Sequence, residues 1–407
     1  MDPFTSIGLS LRDLLAALGL ADWFIDLIMA ALRAAILGTV ALLAFMFLTW
    51  LERKVIGRIQ DRLGPTYAGP IGILQPIADG IKTITKEIII PKGADRAPFI
   101  VGPILAATAA LAVFAVIPFG PDTGHGPLVG TTLNVGLLYI LAVGAAGIVA
   151  IIMAGWGSNN KFAVLGTFRA VAQLISYEVP QFLSIVTVAM LAGTMELGQI
   201  VQIQHVPFIF PLFLTAQIFL LSGVAEAGRS PFDLLEADSE IVAGFHIEYS
   251  AMMFALVQMA EYIHAFAISC IFVTLFLNGW AWPFLPGLAP IWFLVKSFGV
   301  FLILIWFRGT LPRFRIDQMM AFNWQFLVPV SLVNVILIAV LNRVLVVSAG
   351  WSASDPNTAW PWGLAMFAAN LALMVIVLGI MGRAGRQQRM RDEEKVRGRS
   401  FAAATGK

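Results

Sequence analysis

The chain has 407 residues, of which 59% are hydrophobic and only 12% are charged, and its formal net charge is +2. Soluble domains carry about 25% charged residues, so this composition excludes a protein that stays in water by itself. The single cysteine, Cys270, excludes a disulfide framework, a thiolate zinc site and an iron–sulfur cluster held by this chain alone.

Apolar segments long enough to cross a bilayer recur along the whole chain. A span needs roughly 20 mostly apolar residues, and its backbone polar groups must be paired within the segment, which favours helices. The sequence predicts about nine spans, at approximately 27–50, 99–118, 134–155, 172–192, 207–225, 251–277, 289–307, 325–347 and 360–381. We therefore expect an all-α, polytopic integral membrane protein.

Lysine and arginine are confined to alternate loops. The loops after the odd-numbered spans hold 22 of the 26 basic residues, and the loops after the even-numbered spans hold none. The basic loops are 51–98, 155–171, 226–250, 308–324 and the tail. By the positive-inside rule they are predicted to be cytoplasmic, with the N-terminus outside and the C-terminus in the cytoplasm.

Four cations lie elsewhere: Arg12, Arg33, Lys296 and Arg343. Lys296 falls within a predicted span, where we expect it to need a carboxylate partner. We divide the chain into a transmembrane domain, residues 1–382, and a basic cytoplasmic tail, residues 383–407.

The first basic loop contains an amphipathic segment. Its apolar residues recur at alternating spacings of three and four, and its polar residues fall on the other side of the helical wheel. The apolar set is Leu74, Ile77, Ile81, Ile84 and Ile88, and the polar set is Gln75, Asp79, Lys82 and Lys86. This pattern predicts one interfacial helix lying flat on the bilayer, or a surface helix packed on neighbouring spans.

Charged residues also cluster where the first span leaves the membrane: Glu52, Arg53, Arg58, Asp61 and Arg62. Taken singly, each of these residues can be explained as a charged side chain at a helix end that extends to the membrane surface. After span seven, a second set of cations follows: Arg308, Arg313 and Arg315.

The third basic loop is acidic apart from one cation, Arg229. Its carboxylates are Glu226, Asp233, Glu236, Asp238, Glu240 and Glu248. A solvated acidic loop is one interpretation. Apolar residues such as Phe245 and Ile247 interleave with the acids, which favours a packed re-entrant segment. Burial and like-charge neighbours raise carboxyl pKa values, so such acids are candidates for proton exchange.

Two more acids fall inside predicted spans, Glu178 in span four and Glu261 in span six. A carboxylate within a membrane span is by default a candidate functional residue, because an idle charge is costly there.

Four segments in order give the chain a close resemblance to the H-type membrane subunit of bacterial NADH:quinone oxidoreductase, respiratory complex I, whose mitochondrial counterpart is the first NADH dehydrogenase subunit. They are ERKVIGRIQDRLGP with LQPIADGIK, GWGSNNKFAVLGTFRAVAQLISYE, AEAGRSPFDLLEADSEIVAGFHIEYS and RGTLPRFRIDQ. The similarity thins in the N-terminal 25 residues and after about residue 345. Where the family pattern is PFDLPEAESE, this chain has Leu235 and Asp238.

The resemblance implies a subunit at the junction of the hydrophilic and membrane arms of a proton-translocating enzyme in the bacterial inner membrane. The family forms a quinone-access chamber and the start of a chain of buried acids that couples quinone reduction to proton movement. Quinone is then the substrate, and this chain holds no redox centre, metal or iron–sulfur cluster.

The implied partners are the iron–sulfur subunit that reduces quinone, other hydrophilic-arm subunits, small membrane subunits and the lipid bilayer, but no nucleic acid. We nominate ten acids as site residues, all by motif match except Asp233 and Glu248: Glu52, Asp79, Glu178, Glu226, Asp233, Glu236, Asp238, Glu240, Glu248 and Glu261. We nominate six cations for the quinone chamber, all by motif match except Arg58 and Arg62: Arg53, Arg58, Arg62, Arg308, Arg313 and Arg315.

Three alternatives remain open. The related membrane subunit of an energy-converting hydrogenase shares much of this pattern. A secondary transporter would show inverted repeats and broken helices in matching halves, and neither is visible. A structural membrane anchor would leave the acids solvated and without a role.

Overall fold

The computed structural model describes residues 12–17, 19, 21–121, 129–233, 244–281 and 288–404, with side chains up to residue 380 and at residues 382 and 383. The helices are α1 Asp22–Ile59, α2 Gln75–Thr85, α3 Arg96–Val113, α4 Gly136–Gly157, α5 Lys161–Ala192, α6 Leu197–Ile203, α7 Phe213–Glu226, α8 Ala251–Phe276, α9 Ala289–Thr310, α10 Ile316–Phe322, α11 Val328–Ala349 and α12 Ala359–Ala404. A π-helical turn, Asn323–Leu327, joins α10 to α11. These described ranges contain no β-strand, so the all-α prediction is confirmed.

Eight of the described helices are long and apolar enough to cross a bilayer, with α10 and α11 counted as one continuous helix. The predicted fifth span, 207–225, is instead the 14-residue helix α7. At 1.5 Å per residue α7 is about 21 Å long, which is shorter than a hydrocarbon core of roughly 30 Å. The turns before it contain Phe208 and Leu212, which are buried in protein. Non-helical backbone is tolerated at membrane depth where protein encloses it.

α8 is the central helix of the bundle and contacts α1, α3, α7 and α9. In its most apolar stretch 83% of the residues are buried, compared with 17% in α1 and in α12. A helix that is enclosed on all sides presents its polar side chains to other protein groups rather than to lipid. The polar residues of α8 are therefore placed to take part in internal contacts.

The predicted amphipathic helix is present as α2, which packs against α1 and α8. Its apolar residues Ile77, Ile81 and Ile84 are exposed. An exposed apolar face on a short helix beside spanning helices suits a position at the bilayer surface.

Two predicted boundaries differ from the helix ends. α5 begins at Lys161, so most of the predicted loop 155–171 is helical. α12 runs without interruption to Ala404, past the predicted division at residue 382. The division into a membrane domain and a tail stays a prediction.

We call the end of the bundle that carries the basic loops the basic end. The other end, formed among the described residues by 114–121, 129–135, 193–212, 277–281 and 350–358, is the opposite end. At the opposite end the expectation for Lys296 was wrong: its partners are backbone carbonyls rather than a carboxylate. Its Nζ atom donates to the carbonyl oxygens of Leu277 at 2.8 Å, Gly279 at 2.8 Å and Ala281 at 3.0 Å. These carbonyls follow the last turn of α8, where unpaired acceptors favour a cation.

Candidate functional site

The centre of the site is a buried carboxylate, Glu52, near the basic end of α1. The side chain of Glu52 is 3% exposed, and that of Arg229 is 8% exposed. Arg229 donates from Nη1 to both carboxylate oxygens of Glu52, at 2.7 and 2.9 Å. Arg308, near the end of α9, donates to the same carboxylate. One carboxylate therefore ties together α1, α9 and the loop after α7.

Arg229 also lies over an aromatic ring. The centre of its guanidinium group is 4.4 Å from the ring centroid of Tyr262 on α8, a cation–π distance. Burial lowers the pKa of Arg229, but Glu52, Tyr262 and Glu261 together raise it by more, so the net pKa lies above its usual value. Arg229 is therefore held as a cation although it is enclosed by protein.

A cleft extends from this cluster into the membrane-embedded part of the bundle. It has an empty volume of about 1140 Å³, including its mouth. Its walls from α3 and α4 are apolar and rich in small residues, whereas three acids line it from α5, α7 and α8. These acids are Glu178, Glu226 and Glu261.

Glu226 is placed between α4 and α8 at the end of α7. Its Oε1 atom is 3.3 Å from Nε2 of His264 on α8. On the other side, a Cβ atom built on Gly144 of α4 would lie 3.9 Å from the same oxygen, so a glycine here lets α4 approach the carboxylate closely. The second oxygen, Oε2, is buried and accepts no hydrogen bond within the described residues. Glu226 thus combines one partner that can carry a proton with one unpaired oxygen.

A second pocket, of about 720 Å³, opens beside Glu52 at the basic end. It is lined by the end of α1 and the following turn, including Arg53, Arg62 and Pro65. Tyr262 and Arg308 line both this pocket and the membrane cleft. The Glu52–Arg229–Arg308 cluster therefore lies where the two spaces meet.

The loop after α7 is anchored by a buried amide. Gln173 of α5 donates from Nε2 to the carbonyl oxygens of Ala225 at 2.6 Å and Phe232 at 2.7 Å. Because these two acceptors flank Arg229, the bonds fix the stretch of chain that carries the arginine toward Glu52. Fully buried amides of this kind specify one arrangement, since leaving the carbonyls unpaired is costly.

The far end of the same loop is also packed into the protein. Tyr249 stacks on Phe99 with ring centroids 4.3 Å apart and donates to the Phe99 carbonyl oxygen at 2.9 Å. Phe245 is buried, and Gly244 lies so close to Gly166 of α5 that a Cβ on Gly166 would come within 2.8 Å of it. Residues 244–249 therefore match the packed interpretation of this loop better than the solvated one.

Three further pairs lie outside the cleft. Arg53 donates to Asp79 of α2 at 2.6 Å, and both side chains are substantially exposed. Arg313 donates to Asp233 at 2.6 Å. Glu248 accepts a hydrogen bond from Asn160 at 2.7 Å, at the start of α5.

The structure thus brings together some of the predicted residues and separates others. Glu52, Glu178, Glu226, Glu261 and Arg308 share the cleft and its junction, and Arg53 and Arg62 line the second pocket. Arg58 and Arg315 are exposed and line neither space. Glu236, Asp238 and Glu240 lie outside the described residues.

Sequence reasoning did not nominate Arg229, Tyr262 or His264. Arg229 did carry a signal, since it is the one cation among the acids of its loop. Nothing in the sequence distinguished Tyr262 or His264 from other polar residues of a span.

Metal ligation finds no support in the part of the chain that the structure describes, where no group of three or more His, Cys, Asp or Glu side chains could hold an ion. Cys270 is buried as a free thiol.

The fold and this site define a class: a multi-span helical membrane protein with acids and arginines enclosed at one end of its bundle. A sequence model described as NADH dehydrogenase matches residues 32–339. The H-type subunit of NADH-quinone oxidoreductase from Dehalococcoides mccartyi strain CBDB1 is 44% identical over 87% of this chain and 94% of its own length.

H-type subunits of the same enzyme from two other organisms are also similar. That of Koribacter versatilis is 44% identical over 77% of this chain and 96% of its own length, and that of Syntrophobacter fumaroxidans is 45% identical over 78% and 96%. The chain belongs to the NADH dehydrogenase family that includes these H-type subunits, as the four motifs indicated.

Proposed function

We propose that this chain is the membrane subunit of a proton-translocating NADH:quinone oxidoreductase that forms part of the quinone chamber and links quinone reduction to proton movement. The observation that carries the proposal is the junction at Glu52. A pocket at the basic end and an acid-lined cleft within the membrane meet at one enclosed ion cluster.

The chemistry of the substrate explains why such a junction is useful. Reduction of a quinone to a quinol takes two electrons and two protons, so negative charge develops at the headgroup until protons arrive. The second pocket offers Arg53, Arg62 and Arg308 to a headgroup of that kind. Arginine side chains stabilise developing negative charge best in an enclosed site of low dielectric constant.

The ion cluster offers a route for the response. Charge that develops in the second pocket competes with Glu52 for Arg308, because Arg308 lines both spaces. When Arg308 binds Glu52 less strongly, the electrostatic field changes at Tyr262 and at the acids of the cleft. Coupled buried acids exchange protons as a set rather than singly, so a change at one shifts the protonation of the others.

Within the cleft, we assign the proton response to Glu226, Glu178 and Glu261. Glu226 is the leading candidate because it has a histidine partner at 3.3 Å and a buried unpaired oxygen. Asp79 of α2 and Arg53 of α1 form an exposed pair between the two helices, and we assign them to the chamber entrance together with α2. The apolar walls of α3 and α4 suit a membrane-buried space from which water is largely excluded.

The electrons must come from elsewhere. This chain has one cysteine, which cannot hold an iron–sulfur cluster by itself. The proposal therefore requires a partner protein with that cluster, together with further hydrophilic-arm and small membrane subunits. It also requires that the whole assembly is located in the bacterial inner membrane.

The test is Glu226→Gln in the assembled complex, with Glu196→Gln as a matched control. Glu196 lies at the opposite end, before α6, and accepts from Gln199 at 2.6 Å. We expect Glu226→Gln to lower the rate of proton pumping by roughly tenfold, equivalent to about 1.4 kcal/mol of barrier, while the complex stays intact on a native gel. Glu196→Gln should pump at the parental rate.

Normal pumping by Glu226→Gln would refute the role of Glu226. Membership of the complex is tested separately, by identifying the subunits that purify with this chain. Co-purification with a nickel–iron hydrogenase large subunit instead of NADH-oxidising subunits would refute the assignment to an NADH:quinone oxidoreductase.

A further inference from the structure

An exposed arginine lies on α1 near the opposite end of the bundle. Arg33 is exposed and has no hydrogen-bond or ion-pair partner in the part of the chain that the structure describes. Nineteen residues separate it from Glu52, which is about 28 Å along a helix. A bilayer hydrocarbon core is roughly 30 Å thick. With Glu52 at one boundary of the core, the other boundary falls near Arg33, six residues inside the start of the predicted span 27–50.

An apolar groove begins one helical turn from Arg33 on the same helix. It has an empty volume of about 820 Å³ and follows α1 from Leu37 to Phe47. These eleven residues of helix rise about 15 Å and lie from about 6 to about 21 Å along α1 from Arg33, so the groove starts in the leaflet nearest Arg33 and crosses the middle of a core of roughly 30 Å. The groove therefore runs inward along α1 from the level of Arg33, in the direction that the acyl chain of a lipid bound there would follow.

The floor of the groove is aromatic and uncharged. Phe266 of α8 and Phe298 of α9 have ring centroids 5.1 Å apart, and Phe298 is 5.3 Å from Phe47. Phe114 continues the floor at 6.1 Å from Phe266. Among the described residues, no charged side chain lines this groove, so it suits a flexible hydrocarbon chain and offers nothing to a polar headgroup below Arg33.

We propose that Arg33 and this groove form a binding site for one anionic phospholipid, such as phosphatidylglycerol, with the phosphate on Arg33 and an acyl chain along α1. The planar guanidinium group matches two phosphate oxygens at once. The nearby acid, Asp26, pairs with Arg12 at 3.2 Å, so the uncompensated charge one turn from the groove is that of Arg33. The charge at the site therefore favours an anionic headgroup.

This site is independent of the proposed quinone chemistry. Its groove shares no lining residue with the second pocket or the membrane cleft. Binding can therefore be measured without any readout of enzyme activity.

The experiment uses the purified complex in phosphatidylcholine proteoliposomes that contain a minor fraction of phosphatidylglycerol with a diazirine in its acyl chain. After illumination, peptide mass spectrometry locates the labelled residues. We expect labelling on α1 between Leu37 and Phe47 and on the α9 peptide that contains Phe298. Arg33→Gln should lower this labelling about fivefold at a subsaturating probe fraction, which is the effect of one basic residue near an anionic lipid.

Two matched controls separate the site from general lipid contact. Arg343→Gln removes another exposed arginine of a spanning helix, and it should leave the labelling unchanged. Ala44→Phe fills the groove and should reduce labelling with Arg33 still present, whereas Leu42→Phe, on an exposed residue outside the groove, should not.

Several results would overturn the proposal. Equal labelling by a diazirine phosphatidylethanolamine, or undiminished labelling in Arg33→Gln, would remove the headgroup assignment. Absence of labelling in the parent, displacement of the probe by a long-tailed quinone, or a cross-link from this face to a neighbouring protein of the complex would show a different occupant.

Discussion

The two ends of the bundle hold their enclosed cations in different ways. At the basic end, Arg229 is bound by the Glu52 carboxylate, which can gain a proton and has a second partner in Arg308. At the opposite end, Lys296 is bound by three backbone carbonyls, whose charge cannot change. The first arrangement can respond to a nearby reaction, whereas the second fixes the end of α8. Of these two enclosed cations, only Arg229 therefore has a side-chain partner whose charge can change.

The largest expected effect is that of Arg229→Met. Removing one partner of a buried pair typically costs about 3–5 kcal/mol, and we expect the lower part of that range because Arg308 still binds Glu52 in this variant. We expect the complex to accumulate poorly and the assembled fraction to lose quinone reductase activity, as measured by native gels and by NADH oxidation with added quinone.

A double variant tests the cause of that loss. In Glu52→Gln with Arg229→Met, the enclosed carboxylate is gone as well, so assembly should recover in part. If the double variant assembles no better than Arg229→Met, the loss of one of the two cations that bind Glu52 is not the cause, and the contrast between the two ends weakens.

A smaller effect is expected from Lys296→Met. It keeps an apolar side chain of similar length but leaves the carbonyls after α8 without their donor, at a cost of about 1–3 kcal/mol. We expect a lower thermal midpoint of the complex, together with unchanged proton pumping per assembled enzyme. Arg343→Met, at an exposed position, serves as the control and should change neither quantity. Impaired pumping in Lys296→Met at full assembly would give the opposite end a role in coupling.

The smallest effect is expected from Asp79→Asn. Its pair with Arg53 is exposed, and exposed pairs contribute about 0–1 kcal/mol and are screened by salt. At low ionic strength we expect the quinone KM to change by less than about fivefold. This change should become smaller as salt is added. A large effect that persists at high salt would instead place Asp79 inside the enclosed network of the basic end.

Much of the fold could be predicted because its signals are local. The apolar runs, the spacing of Ile77, Ile81 and Ile84, and the bias of basic residues are properties of short segments. The short helix α7 could not be predicted in the same way. The residues before it, such as Phe208 and Leu212, are as apolar as those of a span, and only their enclosure by other helices permits a turn there.

The sequence predicted which types of residue form the site better than it predicted which of those residues pair with each other. Glu52 and Arg229 are 177 residues apart in sequence, and Glu226 reaches His264 on another helix. The sequence by itself determined a membrane protein with acids and arginines at one end, because hydrophobicity and charge are carried by each residue alone. Only the tertiary structure decided which acid pairs with which cation, because those pairs form between residues that are distant in sequence. It also decided that Lys296 binds backbone carbonyls, because every residue has a carbonyl and the sequence cannot show which of them accepts from a side chain.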